Sequence, residues 1–451
     1  MFRFTKKAFL IPAGIFVILS LPAFASGSSQ SSAVSPIYSD QAGIRAVSTI
    51  SEIFGDGQKI TTVVCEYEKD IAAESIGVED FEVKGRKVVA VHTNSETAKT
   101  TENKPGRYVV LDLEIQSPLL ADALATDGRV ENYTAKDDAV VVQKGDIKAI
   151  DGTLYAASSV PVATRPNSGI MSNNSKIYLI REEFEDNHFY TDPEWKTVLH
   201  YNLFKPKGYE EGDTSVKYPL VLFMPDAGAV SQDWETVLLQ GNGGTIWASE
   251  EWQSGNPCFV VTMIFEDKFI NDYWEYFENT VGAIINLVKS LESKYPIDAS
   301  RVYTTGQSMG CMCSMIMMIR DPNLFTAAYC VAGKWDPDQL KALKDSKLFI
   351  VISEDDGMTP QWIDAAAKVW ESEGSKIVYG NIDGIAGSAV HTRVISEMLS
   401  QESGLYYLKI NSGTGMMDTN GNPLRGGHRE TWRLAYDLPG VKEWLFAQKK
   451  Q

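Results

Sequence analysis

Cysteine and histidine are both scarce in this sequence. Its 451 residues include five cysteines and five histidines. No cysteine pair has C-x-x-C spacing and no histidine stands at ligand spacing beside a cysteine, so the patterns of zinc and redox sites are missing. Cys311 and Cys313 lie in an apolar run. We therefore predict buried cysteines that act as small hydrophobic side chains, at least one of them unpaired, and we expect no metal or cofactor.

Positive charge is also in short supply. Lys and Arg number 42 against 59 Asp and Glu, for a formal net charge of -17. Sequence-independent binding of nucleic acid depends on a basic surface that displaces phosphate counterions, so a nucleic-acid partner is not expected. An anionic membrane surface is disfavoured for the same reason. The hydrophobic share of 44% and the charged share of 22% are typical of a globular protein.

Long apolar runs are missing after the amino terminus. Residues 1–25 begin with Arg3, Lys6 and Lys7, continue with an apolar run over Ala8–Leu21, and end in Pro22-Ala23-Phe24-Ala25. These are the three parts of a secretory signal peptide. The run is shorter than the ~20 apolar residues of a membrane span. We expect cleavage in preference to a membrane anchor, no membrane span afterwards, and a secreted, periplasmic or cell-surface protein.

The first half of the chain has the sequence pattern of a β-sandwich. Residues 26–57 are interpreted as a Ser-rich leader and linker, with a β-rich domain over 58–182. Short β-type runs with turn residues between them predict antiparallel strands. His92 and His188 stand alone and are expected to be ordinary structural or surface histidines. Asn132-Tyr133-Thr134 fits the glycosylation pattern. The predicted strands are Lys59–Tyr67, Val88–Val91, Val110–Ile115, Ala139–Val142 and Lys176–Ile180.

The second half alternates between apolar strand-like and amphipathic helix-like runs. A linker is assigned to 183–197 and one domain to 198–451. Unbroken apolar strands between helices predict a mostly parallel sheet with helices on both faces. The predicted strands include Leu199–Phe204, Leu220–Met224, Phe259–Ile264, Val302–Thr305, Leu348–Ile352 and Lys376–Tyr379. The predicted helices are Trp274–Lys294, Met309–Ile319, Trp362–Glu373 and a closing helix over Glu430–Gln448 that is interrupted near Pro439.

One motif in this domain carries chemistry. Gly306-Gln307-Ser308-Met309-Gly310 is a G-x-S-x-G pentapeptide with a predicted strand before it and a predicted helix after it. That context defines a nucleophile elbow, a turn so tight that small residues flank it. The strained turn holds the serine hydroxyl above the sheet at the positive end of the helix. Ser308 is therefore predicted to be a nucleophile.

A serine nucleophile needs a base and an acid that orients the base. In this fold the chain order is serine, acid, histidine. Two histidines follow the serine, His391 and His428, and the second is favoured because it lies in a Gly-rich loop just before the last helix. The acid is expected after the strand Leu348–Ile352. Three consecutive carboxylates stand there, Glu354-Asp355-Asp356, and position alone does not choose among them.

From about Leu199 to Phe446 the sequence resembles the secreted α/β-hydrolase esterases related to polyhydroxybutyrate depolymerases and predicted peptidases. Four segments carry the resemblance. They are Lys217–Met224, Tyr295–Gly310, Asp321–Ala328 and the ending His428–Phe446.

The resemblance implies roles for particular residues. It makes His428 the base. The family's acid loop has an Asp four residues before a Pro, so Pro360 selects Asp356 as the acid, with Asp355 as the second candidate. It also implies that the oxyanion hole uses the N–H of Met309 and that of Ala227, and that the β-rich half is an immunoglobulin-like domain.

Two departures from the family pattern concern the oxyanion hole. The family's HGAG turn is here Pro225-Asp226-Ala227-Gly228, which places the Asp226 carboxylate near a site that must hold negative charge. The family's PQ is replaced by Ile264-Phe265-Glu266. Loss of an oxyanion donor costs about 10²–10³ in rate, so a weak or specialised enzyme is compatible with these changes.

The expected function is a secreted serine hydrolase that cleaves carboxylic esters through Ser308, Asp356 and His428 and an acyl-enzyme intermediate. The alternatives are a serine peptidase of the same fold, or a binding protein with a weakly active hydrolase fold. The expected substrate is a small-molecule or polysaccharide-linked ester, and the oligomeric state is left open. Five tryptophans are candidates for binding sugar or aryl groups, although packing explains each one alone: Trp234, Trp252, Trp274, Trp335 and Trp362.

Overall fold

The computed structural model describes residues 43–120, 138–164, 176–231 and 233–450. The predicted signal peptide, most of the predicted leader and the glycosylation pattern at 132–134 lie outside the described residues. No helix within these ranges is both long and apolar enough to cross a membrane.

The amino-terminal part is a β-sandwich. A five-stranded sheet of order β10-β1-β2-β5-β4 faces a three-stranded sheet of order β3-β6-β9. Val47, Val63 and Leu111 from the first sheet share one core with Phe81 and Val141 from the second. The strands are β1 Ala46–Phe54, β2 Gly57–Glu66, β3 Phe81–Val83, β4 Val88–Asn94, β5 Tyr108–Leu113, β6 Val140–Gln143, β7 Ile147–Lys148, β8 Leu154–Tyr155, β9 Val162–Ala163 and β10 Lys176–Tyr178.

The predicted leader and linker over 26–57 is too long. Strand β1 lies inside that range and pairs antiparallel with β2 along its whole length. Its Ser and Thr residues continue the composition of the leader, which hides the strand, but Val47 and Ile50 are buried in the sandwich. The domain therefore begins near residue 46. Each of the five strands predicted for the sandwich overlaps an observed strand, with shifted ends.

The second part is built on a nine-stranded sheet of order β11-β12-β14-β13-β15-β16-β17-β19-β18. Pairing is parallel from β14 through β18, and antiparallel where β12 meets β14 and β11. The strands are β11 Glu185–Thr191, β12 Val198–Phe204, β13 Tyr218–Met224, β14 Phe259–Ile264, β15 Ile297–Gln307, β16 Ala327–Val331, β17 Leu348–Ser353, β18 Ile377–Ile382 and β19 Leu405–Ile410, with a separate hairpin of β20 Met416–Met417 and β21 Pro423–Leu424.

The predicted linker over 183–197 is also wrong, because it contains β11. This strand lies at the edge of the sheet, where only one side of its backbone is paired. Its sequence, EDNHFYT, is mostly polar. Edge strands favour charged and polar residues, so the segment lacks the apolar run that identifies a central strand.

Helices cover both faces of the sheet. Leu220 and Leu222 of β13 belong to one core, whereas Val221 and Phe223 belong to the other, as expected for a strand buried on both sides. The helices are α1 Thr236–Leu239, α2 Glu250–Gly255, α3 Glu278–Lys294, α4 Met309–Arg320, α5 Pro337–Leu340, α6 Thr359–Ser372, α7 Ser388–Leu399, α8 His428–Ala435 and α9 Val441–Ala447.

Two predicted helices differ most from the observed ones. Helix α3 begins at Glu278 rather than at Trp274, because Trp274 has a positive φ of 64° and a loop closes where the Phe277 N–H donates to the Phe269 carbonyl at 2.9 Å. The predicted closing helix is two helices, α8 and α9. Pro439 lacks an N–H and Gly440 has a φ of 89°, so the chain turns between them.

The β1–β2 hairpin contacts the second part beside α8. A Cβ on Gly55 would lie 2.0 Å from the carbonyl oxygen of Arg433, so this close approach requires glycine. Nearby, Arg433 Nη1 donates to the Pro118 carbonyl at 3.3 Å, and the Met417 N–H donates to the Leu119 carbonyl at 3.0 Å. The sandwich therefore packs against the helix whose first residue is His428.

Candidate active site

The turn between β15 and α4 is a strained elbow. Ser308 has φ 54° and ψ -119°, a conformation that residues with a Cβ rarely adopt. A Cβ on Gly310 would lie 1.9 Å from the Met224 carbonyl oxygen, and one on Gly306 would lie 2.6 Å from the Gly310 carbonyl carbon. Both glycines are therefore required for the turn to pack against β13. The Ser308 N–H donates to the Val331 carbonyl at 3.1 Å, which ties the elbow to β16.

Three predicted site residues meet at this elbow. Ser308 Oγ lies 2.7 Å from His428 Nε2. His428 Nδ1 lies 2.9 Å from both carboxylate oxygens of Asp356. With the Nδ1 proton donated to Asp356, Nε2 is the acceptor of the serine proton. The Asp356 side chain is 6% exposed and that of His428 is 42% exposed, so the carboxylate is covered while the imidazole is open to solvent.

The structure separates the three consecutive carboxylates that follow β17. Asp356 is the one that faces His428. Asp355 accepts from Ser412 Oγ and from the Gly413 N–H, both at 2.7 Å, and Glu354 accepts from the Ser412 N–H at 2.9 Å. The first two carboxylates therefore brace the loop that follows β19, and only the third reaches the site.

His428 is the first residue of α8, and close packing sets its position. A Cβ on Gly427 would lie 2.8 Å from the Asp355 carbonyl oxygen, so the segment can approach the acid loop only as glycine. Glu430 accepts from the Gly427 N–H at 2.8 Å, which caps the helix. The other candidate base, His391, is 4% exposed and contacts the Asp383 carbonyl at 2.8 Å, away from the elbow.

The predicted oxyanion donors lie on both sides of the elbow. Met309 is the first residue of α4, and Ala227 lies in the turn after β13. Within the described residues, neither backbone N–H donates a hydrogen bond to another group. Both are therefore unpaired donors, and the N-terminus of α4 adds positive potential beside Ser308.

The Asp226 carboxylate, which departs from the family pattern, is already hydrogen-bonded within the protein. It is 5% exposed. Its Oδ1 accepts from the Gly228 N–H at 2.7 Å and its Oδ2 accepts from Gln307 Nε2 at 2.9 Å. These bonds tie the Pro225–Gly228 turn to the elbow. The carboxylate therefore acts as a brace for the turn. Gln307 has a role that the sequence does not reveal, because the middle positions of the motif carry no side-chain requirement.

Three of the five candidate tryptophans form a cluster. The ring centroid of Trp274 lies 4.7 Å from that of Trp362 and 5.5 Å from that of Trp335, both edge to face. Trp335 lies two residues after Gly333, whose Cβ position would be 3.0 Å from the Ser308 carbonyl oxygen, so the segment that carries Trp335 passes beside the elbow. The other two do not join it. Trp252 packs on Trp247 and Phe446, and Trp234 lies against Arg181.

The five cysteines are all free and buried, which confirms that part of the sequence prediction. Burial raises the pKa of the Cys258 thiol to about 12 and also raises the pKa of Cys313, which favours the protonated forms. No group of three or more His, Cys, Asp or Glu side chains suited to a metal ion occurs in the described part of the chain.

Two family models match the chain. Residues 46–156 match the esterase Ig-like N-terminal domain, and residues 277–415 match the esterase PHB depolymerase family. No protein with a curated description matches significantly.

One solved structure shares the fold over most of the chain, and others are similar over parts of it. A thermostable esterase superposes with a TM-score of 0.67 at 22% identity, over 90% of this chain and 100% of its own. The feruloyl esterase module from Clostridium thermocellum gives a TM-score of 0.37 at 14% identity, over 56% of this chain and 86% of that one. An acetyl xylan esterase from Aspergillus awamori gives 0.31 at 16% identity, over 42% and 80%.

The fold is an α/β-hydrolase preceded by an immunoglobulin-like β-sandwich, as the sequence predicts. The family matches are more specific than the fold. The chain is a carboxylic ester hydrolase, in which one segment is similar to the esterase PHB depolymerase family and another to the esterase Ig-like N-terminal domain.

Proposed function

We propose that this esterase works through Ser308, His428 and Asp356 by way of an acyl-enzyme. Ser308 Oγ attacks the ester carbonyl carbon while His428 Nε2 takes the hydroxyl proton. The tetrahedral intermediate collapses when the same nitrogen gives that proton to the leaving alkoxide. Water then attacks the acyl-enzyme with His428 again as the base, which releases the acid and restores the serine.

The single observation that carries this proposal is the continuous hydrogen-bonded chain Ser308–His428–Asp356, with distances of 2.7 and 2.9 Å. The buried carboxylate holds the imidazole in the tautomer that can accept a proton, and it stabilises the imidazolium that forms. The free N–H groups of Met309 and Ala227 would bind the oxyanion. Because such donors are worth about 10²–10³ in rate, the intact turn supports an active enzyme rather than a binding protein.

Labelling with a fluorophosphonate probe tests the nucleophile. Wild-type protein should incorporate one probe on the peptide that contains Ser308, and Ser308→Ala should incorporate none and lose ester hydrolysis. Ser314, which lies buried on the same helix and bonds to Thr304, offers the matched control: Ser314→Ala should still be labelled. Labelling of another serine, or retention of activity in Ser308→Ala, would contradict the proposal.

We further propose that the protein is exported and that its substrate is a small-molecule or polysaccharide-linked ester. The three-part amino terminus supports export. Mass spectrometry of protein recovered outside the cytoplasm tests it, with Ser26 expected as the first residue of the mature chain. A mature protein that begins at Met1 and stays in the cytoplasm would contradict export.

A further inference from the structure

Arg429 stands beside the proposed base and faces the oxyanion turn. It follows His428 directly on α8. Its Nη2 lies 3.8 Å from the position that a Cβ on Gly228 would occupy, and Gly228 directly follows Ala227. The guanidinium is therefore next to the turn whose N–H is expected to bind the carbonyl oxygen of the substrate.

This guanidinium has no partner among the described residues. Arg429 is partly buried, and its Nη1 is shielded from solvent without a hydrogen-bond acceptor. Asp226, which lies on the same turn as Gly228, forms no ion pair with it among the described residues, and its oxygens accept from Gly228 and Gln307. Burying a charged donor without an acceptor costs free energy, so such groups are uncommon away from functional sites.

Three other arginines that are buried or half-buried all have partners. Arg433, one turn further along α8, is 3% exposed and donates to the Pro118 carbonyl at 3.3 Å. Arg301 donates to Asp298 at 2.7 Å, and Arg320 is paired with Glu278. By contrast, Arg429 is held at the site with its donors unused.

We propose that Arg429 binds a carboxylate carried by the substrate, so that the preferred substrates are esters with one negative charge close to the scissile bond. A guanidinium presents a planar fork of donors that matches a carboxylate. The net charge of -17 opposes polyanions at long range, but it does not oppose one carboxylate at a local cation. The proposal deepens the proposed function and rests on it.

Matched ester pairs test the proposal. One pair puts the charge in the alcohol part (4-acetoxybenzoate against its methyl ester), and the other puts it in the acyl part (4-nitrophenyl hemiglutarate against 4-nitrophenyl pentanoate). Arg429→Gln should lower kcat/KM for the charged member of at least one pair about tenfold or more, mainly through KM, and leave the neutral members within about twofold. Arg429→Lys should recover part of the loss. Arg393→Gln, an exposed charge on α7, should change none of these values.

A second readout does not depend on turnover. In Ser308→Ala the intact charged ester should bind measurably by calorimetry, and the additional Arg429→Gln change should abolish that binding. If Arg429→Gln lost activity equally on charged and neutral esters, Arg429 would be assigned to stabilising the oxyanion or the fold, and the proposal would be overturned. No loss on either kind of ester would overturn it too. Hydrolysis by Ser308→Ala would instead contradict the proposed function and leave the binding comparison valid.

Discussion

At the residue scale, the site depends on which neighbours each side chain faces. Ser308 follows from the pentapeptide, and the chain order leaves His391 and His428, of which the family resemblance selects His428. The resemblance also selects Asp356, but position alone does not choose among three adjacent carboxylates, and the structure shows that Asp355 turns to Ser412 and Gly413. The orientation of Asp226 and the unpaired donors of Arg429 cannot be read from the sequence for the same reason. They depend on contacts between segments far apart in the chain.

The pair of adjacent aspartates makes a sharp residue-scale prediction. Asp356→Asn keeps the shape of the side chain but no longer holds His428 in the required tautomer, so kcat should fall by about 10⁴. Asp355→Asn is the matched control and should stay within a few-fold of wild type, because Asp355 braces the loop after β19. Steady-state kinetics on one neutral ester measures both. A loss of kcat that is larger in Asp355→Asn than in Asp356→Asn would assign the role of the acid to Asp355.

At the element scale, central strands are predicted better than edges. The strands β13, β14 and β17 appear as unbroken apolar runs because helices cover both of their faces. Strands β1 and β11 are missed because their sequences are polar and their burial depends on the partner strand. The start of α3 is misplaced because apolar periodicity continues back through Trp274, while the backbone there closes a loop.

Asp298 lies at the start of β15, the strand that leads to the elbow, and its ionisation predicts how the stability of the protein responds to acid. Burial raises the pKa of Asp298, but hydrogen bonds from Ser300 and Arg301 outweigh it and lower the pKa from an ordinary 3.8 to about 2. A depressed folded-state pKa contributes stability above the unfolded pKa, and this contribution is lost as the pH falls from about 4 towards 2. Asp298→Asn should therefore flatten the pH dependence of the unfolding free energy in that window.

Denaturant unfolding at several pH values measures this effect. Glu397→Gln is the control, since it removes an exposed carboxylate on α7. Glu397→Gln should leave the slope of the unfolding free energy against pH unchanged in this pH window. An Asp298→Asn protein with the same slope as wild type would show that the ion pair with Arg301 does not contribute to folding.

At the scale of the whole molecule, the two domains meet at the helix that carries the proposed base. The hairpin at Gly55 touches the Arg433 carbonyl, and Pro118 and Leu119 bond to α8 and to the hairpin of β20 and β21. The sequence predicts both domains but gives no sign of this contact, because a glycine in a turn is expected whether or not another element packs on it.

Gly55→Ala tests the contact. A Cβ placed 2.0 Å from the Arg433 carbonyl must displace the hairpin or α8. We expect a lower midpoint of thermal unfolding and a fall in kcat larger than the change in KM, because His428 is the first residue of the displaced helix. Gly387→Ala, where a Cβ meets nothing within 4 Å, is the control and should behave as wild type. Unchanged kcat and unchanged stability in Gly55→Ala would mean that the domains pack independently.

The most direct test of the central claim is to trap the acyl-enzyme. Wild-type protein mixed with an activated ester and quenched in acid before the steady state should gain the mass of one acyl group, and peptide mapping should locate it on Ser308. His428→Ala should show no rapid acylation, because no base accepts the serine proton. An acyl group on any other residue, or ester turnover with no covalent intermediate and an unmodified Ser308, would contradict the account.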